Sequence, residues 1–224
     1  MKEAGVIITS FAASYEQMKK TKFTKKKNKQ QSESSTSLLD VNNSLKFILR
    51  PFWRNEFKKL IKKPNFLHSL SALSLYKLSY HSKEEEDRLR LNVRYDSRQC
   101  LFQIQRDGDE QDFADLVNVE YGRVLSIAFC TSGGVGEEQD DEIFNVFDHF
   151  CYFLGNLHEG KTNDQQPSFQ PLPLLVRRTE EQIEEEGASE ELEAQMNNNE
   201  NYVLIKYLAN GAKAVIMNHF IHID

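Results

Sequence analysis

The chain is poor in the residues that staple or span. It holds three cysteines, five prolines and one tryptophan in 224 residues. Cys100, Cys130 and Cys151 have no CxxC spacing and each lies among apolar neighbours, so buried free thiols in a reducing compartment are expected. No stretch approaches the roughly 20 consecutive apolar residues of a membrane span. Glu3 precedes the short apolar run Val6-Ile7-Ile8 and no small-residue cleavage site follows, so a secretory signal is not expected. A P-loop, a dinucleotide fingerprint, HExxH, a nucleophile elbow and kinase signatures are all missing. The glycine-rich SGGVGEEQ (132–139) has no preceding strand and no following lysine, which makes it a loop and not a phosphate cradle. His219 and His222 share a helical face but have no third ligand, so no metal is expected. Neither an enzyme nor a cofactor is expected.

What is present is uneven. Residues 1–63 carry 15 basic and 5 acidic side chains, whereas residues 64–224 carry 13 and 29. The apolar content, 39%, is low enough to leave part of the chain unable to pack. Residues 19–37, KKTKFTKKKNKQQSESSTS, are polar and repetitive, and cannot offset chain entropy by burial. Residues 1–43 are therefore read as a basic, largely disordered arm, with a short helix in residues 1–18. The run Lys25–Lys29 has the composition of a nuclear localisation signal, although short basic runs are also common by chance. An acidic body suits a basic partner and repels phosphates, so nucleic acid is not an expected partner.

From residue 44 the apolar residues recur at helical spacing. Phe57, Leu60 and Ile61 form one stripe, and Pro64 ends it. Phe66, Leu67, Leu70, Leu73 and Leu78 form a second. The charged segment 83–92 reads as a connector to a third stripe of Cys100, Leu101 and Ile104. Phe113, Leu116 and Val117 then predict a short helix, Val124 to Ala128 a second, and Ile143 to Leu157 a long third. The stretch 158–178 holds three prolines and no helical period, so it reads as a loop. Beyond it, Ile183 closes another short helix, Leu192 and Met196 mark a second, NNNEN (197–201) a turn, and Tyr202 to Phe220 a long last helix.

Two joins are alike: NVEYGRVLSIAF, with Gly122, and IEEEGASEELEAQM, with Gly187. Glycine tolerates the left-handed conformation that ends a helix, so both read as helix-to-helix corners. They lie 65 residues apart; without the loop about 45 remain, close to the period of about 40–47 in armadillo or HEAT repeats. The expected fold is all-α and armadillo-like, a right-handed superhelix of about three three-helix units. Its domain spans 44–224, with units at about 54–106, 110–157 and 180–222. An irregular helical bundle is the alternative.

The segment DDEIFNVFDHFCYFLGNLHEGKTN, followed by IEEEGASEELEAQMNNNENYVLIKYLANGAKAVIMNHF, resembles the C-terminal repeats of importin-alpha proteins. The matching features are Asn156-Leu157, Ile183-Glu184-Glu185, Gly187, Leu192-Glu193, Asn199-Glu200-Asn201 and Phe220. VRYDSRQCLFQI and DEQDFADLVNVEYGRVLSI resemble the preceding unit, so the likeness covers about residues 90–224. In that family a ladder of Trp and Asn, four residues apart, clamps basic peptides. Here Trp53 is followed at that spacing by Phe57, Gln105 replaces the Asn, and only Tyr152 and Asn156 keep an aromatic-x-x-x-Asn step. A standard cargo groove is thus not encoded.

The resemblance implies a non-enzymatic adaptor for nuclear protein import, working in nucleus and cytoplasm by recognising basic localisation peptides. Tyr152, Asn156 and Gln105 would then touch peptide, and Glu184, Glu185, Glu186, Glu200 and Asn201 would engage a partner, with importin-beta or an export receptor as candidates. A plainer reading has Tyr152 packing between helices, Asn156 capping one, and the acidic run forming a solvated face. The alternative function is a structural or regulatory subunit whose Phe144, Phe147 and Phe150 form an interface.

Overall fold

A computed structural model of the chain describes residues 1–24, 35–50, 54–63, 65–78, 82–130, 140–162, 167–188 and 190. The described residues are all-α, with nine helices and a single antiparallel bridge between Lys161 and Phe169. They fall into two compact units, Met1–Leu101 and Phe102–Asp224.

The first unit opens on α1 (Lys2–Thr24) and α2 (Ser35–Ile48). Ala4, Ile8, Ala12 and Tyr15 bury one face of α1, and Leu38, Val41, Leu45 and Ile48 one face of α2. These spacings of three and four are helical. α1 packs against α2 and against α4 (Phe66–Ser74). The short helix expected in residues 1–18 is present and runs on to Thr24, and the reading of the rest of the arm as disordered gives way over 19–24 and 35–43. The Lys- and Ser-rich composition masked two apolar stripes that are enough to seat two helices. The basic run Lys25–Lys29 lies outside the described residues, as does Trp53.

α3 (Arg54–Ile61) buries Phe57, Leu60 and Ile61, the expected stripe. After α4 the chain turns, and α5 (Glu84–Asp107) begins. The charged segment read as a connector is in fact the first turns of α5. Glu84, Glu85, Glu86 and Asp87 sit there, where the partial positive charge of a helix start favours anions. Three arginines follow at four-residue spacing, and Arg90, Arg94 and Arg98 are all at least 96% buried. Each has a partner. Arg90 donates to Asp87 at 2.6 Å and Glu86 at 3.0 Å. Arg94 donates to the carbonyl of Tyr76 at 3.4 Å and Arg98 to that of Ser74 at 3.2 Å. Helix ends leave carbonyls without intrahelical donors, and a cation there also complements the dipole. Arg94 and Arg98 thus close the C-terminal end of α4. Tyr76 itself is wedged against Phe11 and Tyr15, ring centroids 5.3 and 4.7 Å away.

The second unit takes the last turn of α5, then α6 (Glu110–Asn118), α7 (Tyr121–Cys130), α8 (Asp140–Glu159) and α9 (Pro173–Glu185). Short, second and long helices fall where the sequence spacing of 110–157 placed them. Asp109 starts α6 with a capping box, its carboxylate accepting from the Asp112 amide at 3.0 Å and Asp112 accepting from the Asp109 amide at 3.1 Å. The core is aromatic. Phe113 lies 5.6 Å from Phe153 and 4.8 Å from Phe169, and Phe129 meets Phe147 at 4.4 Å. Phe147 and Phe150 are buried in it, so they are not the interface proposed for them; the side chain of Phe144 is outside the described residues.

The two glycine joins differ. Gly187 has φ +66°, and its amide donates to the Glu184 carbonyl at 3.0 Å, the left-handed close expected after α9. Gly122 does not make a corner. The left-handed residue there is Glu120, φ 59°, and Gly122 lies inside α7. Its role is proximity: a Cβ at Gly122 would stand 2.8 Å from Thr179 Cγ2 and 3.1 Å from Gln182 Oε1, both on α9. The loop reading of 158–178 is also shortened, because Pro173 begins α9 at a position where its missing N–H costs nothing. Leu192, Met196, the 197–201 turn and the helix expected at 202–220 lie outside the described residues, as do 132–139, His219 and His222.

Candidate functional site

Of the residues expected to touch peptide, Tyr152 and Asn156 lie one turn apart on α8. Tyr152 is 40% exposed, one of the few large apolar side chains on the surface of the described residues. Asn156 is half-buried, and its amide is committed to the Tyr152 carbonyl at 2.7 Å. Gln105 is not at the surface. It is fully buried, and its amide donates to the His149 carbonyl at 3.1 Å, which ties the end of α5 to α8 from inside. His149 stacks on Phe102, ring centroids 3.7 Å apart and 13° from parallel. The sequence spacing thus brings Tyr152 and Asn156 together but puts Gln105 behind them.

Arg106 adds a charge that the sequence reading did not weigh. It forks onto Asp107, Nε to Oδ1 at 3.0 Å and Nη2 to Oδ2 at 3.2 Å. That hydrogen bond raises its pKa; burial opposes the rise, and the charge of Asp107 and the nearby Tyr152 add to it. Behind it sits Lys161, 3% exposed. Its ammonium donates to the carbonyls of Arg106 at 2.7 Å, Gly108 at 3.1 Å and Gln105 at 3.5 Å, and lies 5.7 Å from the centre of the Phe113 ring. It caps α5 as a charge and as a threefold donor. Reading 158–178 as a loop hid this lysine; no local signal in the sequence marks it.

The acidic residues divide by whether the fold has claimed them. Glu186 is half-buried and accepts from Arg123 Nε at 2.6 Å. Burial pulls the Arg123 pKa down, but the charge of Glu186 and bonds to Glu120 and Glu186 raise it overall. Glu181 pairs with Arg177 at 3.2 Å, and Glu180 lies 3.5 Å from the imidazole of His158. Glu184 and Glu185, by contrast, are exposed, and their carboxylates have no ion pair or hydrogen bond among the described residues. Glu200 and Asn201 lie outside those residues.

The thiols are subdued. Cys100 is buried, and desolvation, helped by the charge of Asp96, pushes its pKa far up. Cys151 is half-buried, and burial followed by Asp148 pushes it up to about 11. Cys130 is half-buried, its Sγ 3.9 Å from the Glu186 carbonyl. Among the described residues no group of three or more His, Cys, Asp and Glu is placed to hold a metal, and no helix is long and apolar enough to cross a membrane.

Fold and site together define an all-α protein with an exposed acidic helix end and a half-exposed Tyr–Asn step. No protein family, no curated protein and no solved structure matches the chain.

Proposed function

We propose that the chain is a non-enzymatic protein-binding adaptor, of the kind its likeness to importin-alpha implies, which takes basic extended peptides on the acidic end of α9. On this reading it serves nuclear protein import, moves between nucleus and cytoplasm, and engages importin-beta or an export receptor. The observation that carries the proposal is the state of Glu184 and Glu185. Glu181 and Glu186 are paired within the fold, but the carboxylates of these two stand exposed and unpaired among the described residues. Arg106 beside Tyr152 makes the α8 surface less suited to a basic peptide than the sequence alone implies, so α9 is the favoured contact.

The test is titration of a fluorescent Lys/Arg-rich peptide with the full chain across a range of salt. Binding that weakens steeply with ionic strength, and that falls on Glu184→Gln/Glu185→Gln, supports the adaptor. Binding indifferent to both would sink it. A second reading, a structural or regulatory subunit of a larger assembly, draws support from Leu174, which is 84% exposed in the first turn of α9. It predicts that Leu174→Ser abolishes co-purification of a large partner and leaves the basic peptide's affinity unchanged.

A further inference from the structure

The groove between α1 and α2 belongs to the unit that the peptide proposal does not use. The two helices run antiparallel: the start of α1 faces Ser44 and Phe47, and its Ser14–Met18 end faces Ser37. On one side of the pair two adjoining hollows, of about 360 and 430 Å³, share Ile7 and Asp40 and so form one continuous trough. It extends from Met1 to Met18 along α1, roughly 26 Å at helical rise, or about five turns. Its floor is a second apolar stripe. Ile7, Phe11 and Met18 of α1 and Phe47 of α2 are each half-buried, left partly open after the first stripe has been spent on the unit's core. A trough of this length and chemistry matches a single amphipathic helix laid along it.

Charge selects the occupant. Among the described residues, Glu3 and Asp40 are the charged side chains that line the trough; both are exposed, Glu3 at the Met1 end and Asp40 at the junction of the two hollows. Two cations mark its ends: Lys19 sits 4.8 Å from the Tyr15 ring and Arg50 5.5 Å from the Phe47 ring. The middle of the trough therefore carries the carboxylate of Asp40 and, among the described side chains that line it, no cation. We infer that the α1–α2 trough docks an amphipathic helix of a protein partner, apolar on the face it buries and carrying a lysine or arginine at its centre opposite Asp40. This site is independent of the acidic α9, so either can fail without the other.

The test uses the full chain and two synthetic helices, each about five turns of leucine-faced sequence, one with a central lysine and one with a central glutamate. Affinities are read by fluorescence anisotropy and location by hydrogen exchange. The lysine helix is expected to bind several-fold more tightly and to protect residues 3–18 and 37–47. Asp40→Lys is expected to reverse the preference, a change of about fivefold or more in the ratio, the size of one attractive rim pair turned repulsive. Asp40 is exposed, so the variant is expected to fold; an unchanged exchange pattern without peptide checks this. Equal affinity for both helices, protection elsewhere, or no reversal in Asp40→Lys each overturns the assignment. Self-association of the free chain that covers these same residues would make the occupant a second copy, and overturns it equally.

Discussion

Gly122→Ala separates two reasons for a glycine. If Gly122 were the corner, its replacement would fail because alanine resists a left-handed φ. The structure gives the left-handed φ to Glu120 and puts Gly122 within α7, where alanine is the better helix former by up to about 1 kcal/mol. Against that gain stands the approach of α9. The new methyl would lie 2.8 Å from Thr179 Cγ2 and 3.1 Å from Gln182 Oε1. Thr179 is fully buried and its hydroxyl is held by the Leu175 carbonyl at 2.8 Å, so it cannot swing aside freely. Overpacking of this kind costs about 1–3 kcal/mol, and the net loss is expected to be about 1 kcal/mol. The cause is isolated by a second change. Thr179→Ser keeps the hydroxyl and removes the methyl, at a cost of about 1 kcal/mol alone. Together the two should be nearly neutral, because one methyl fills the space the other leaves. Urea unfolding followed by circular dichroism measures all four corners of the cycle. Strictly additive costs would refute the close-approach argument, and rescue by Gly122→Asn in place of Thr179→Ser would restore the corner.

Lys161→Met removes the charged cap from α5 and strands buried carbonyls; a loss of about 2 kcal/mol in urea unfolding is expected, and a loss under 0.5 would mean water replaces the cap. Arg98→Met should cost a similar amount, about 2–3 kcal/mol, because the Ser74 carbonyl loses its donor in a buried site. Alkylation of Cys151, followed by mass spectrometry, should quicken about tenfold per pH unit up to about pH 11, since the thiolate is the reactive form; a plateau before pH 9 would contradict the role of burial.

Part of this fold can be read from spacing alone. α6, α7 and α8 follow because Phe113, Leu116 and Val117, then Val124 and Leu125, then Val146 to Leu157 repeat every three or four residues and are buried as that period requires. α5 as far as Arg98 escaped because most of its buried positions there are polar or charged, three of them arginine. Arg90, Arg94 and Arg98 keep helical spacing, but charged residues read as solvent-facing until the carbonyls they meet are in view. α2, and the packing of α1 beyond a short helix, escaped because composition averages over a segment while burial acts on single positions such as Ile8 and Leu45. At the candidate site, Tyr152 and Asn156 were legible as neighbours on one helix. The inward turn of Gln105 was not, because it depends on a backbone carbonyl 44 residues away.

Lys161 gives the second unit a built-in clock. An amine reagent in water meets exposed lysines at once, but this ammonium is shut behind three carbonyls and an aromatic face. It can be acylated only while the end of α5 and the stretch after α8 have parted. The rate at which that one side chain takes up label therefore reports how often the unit opens, with the rest of the chain serving as its own control.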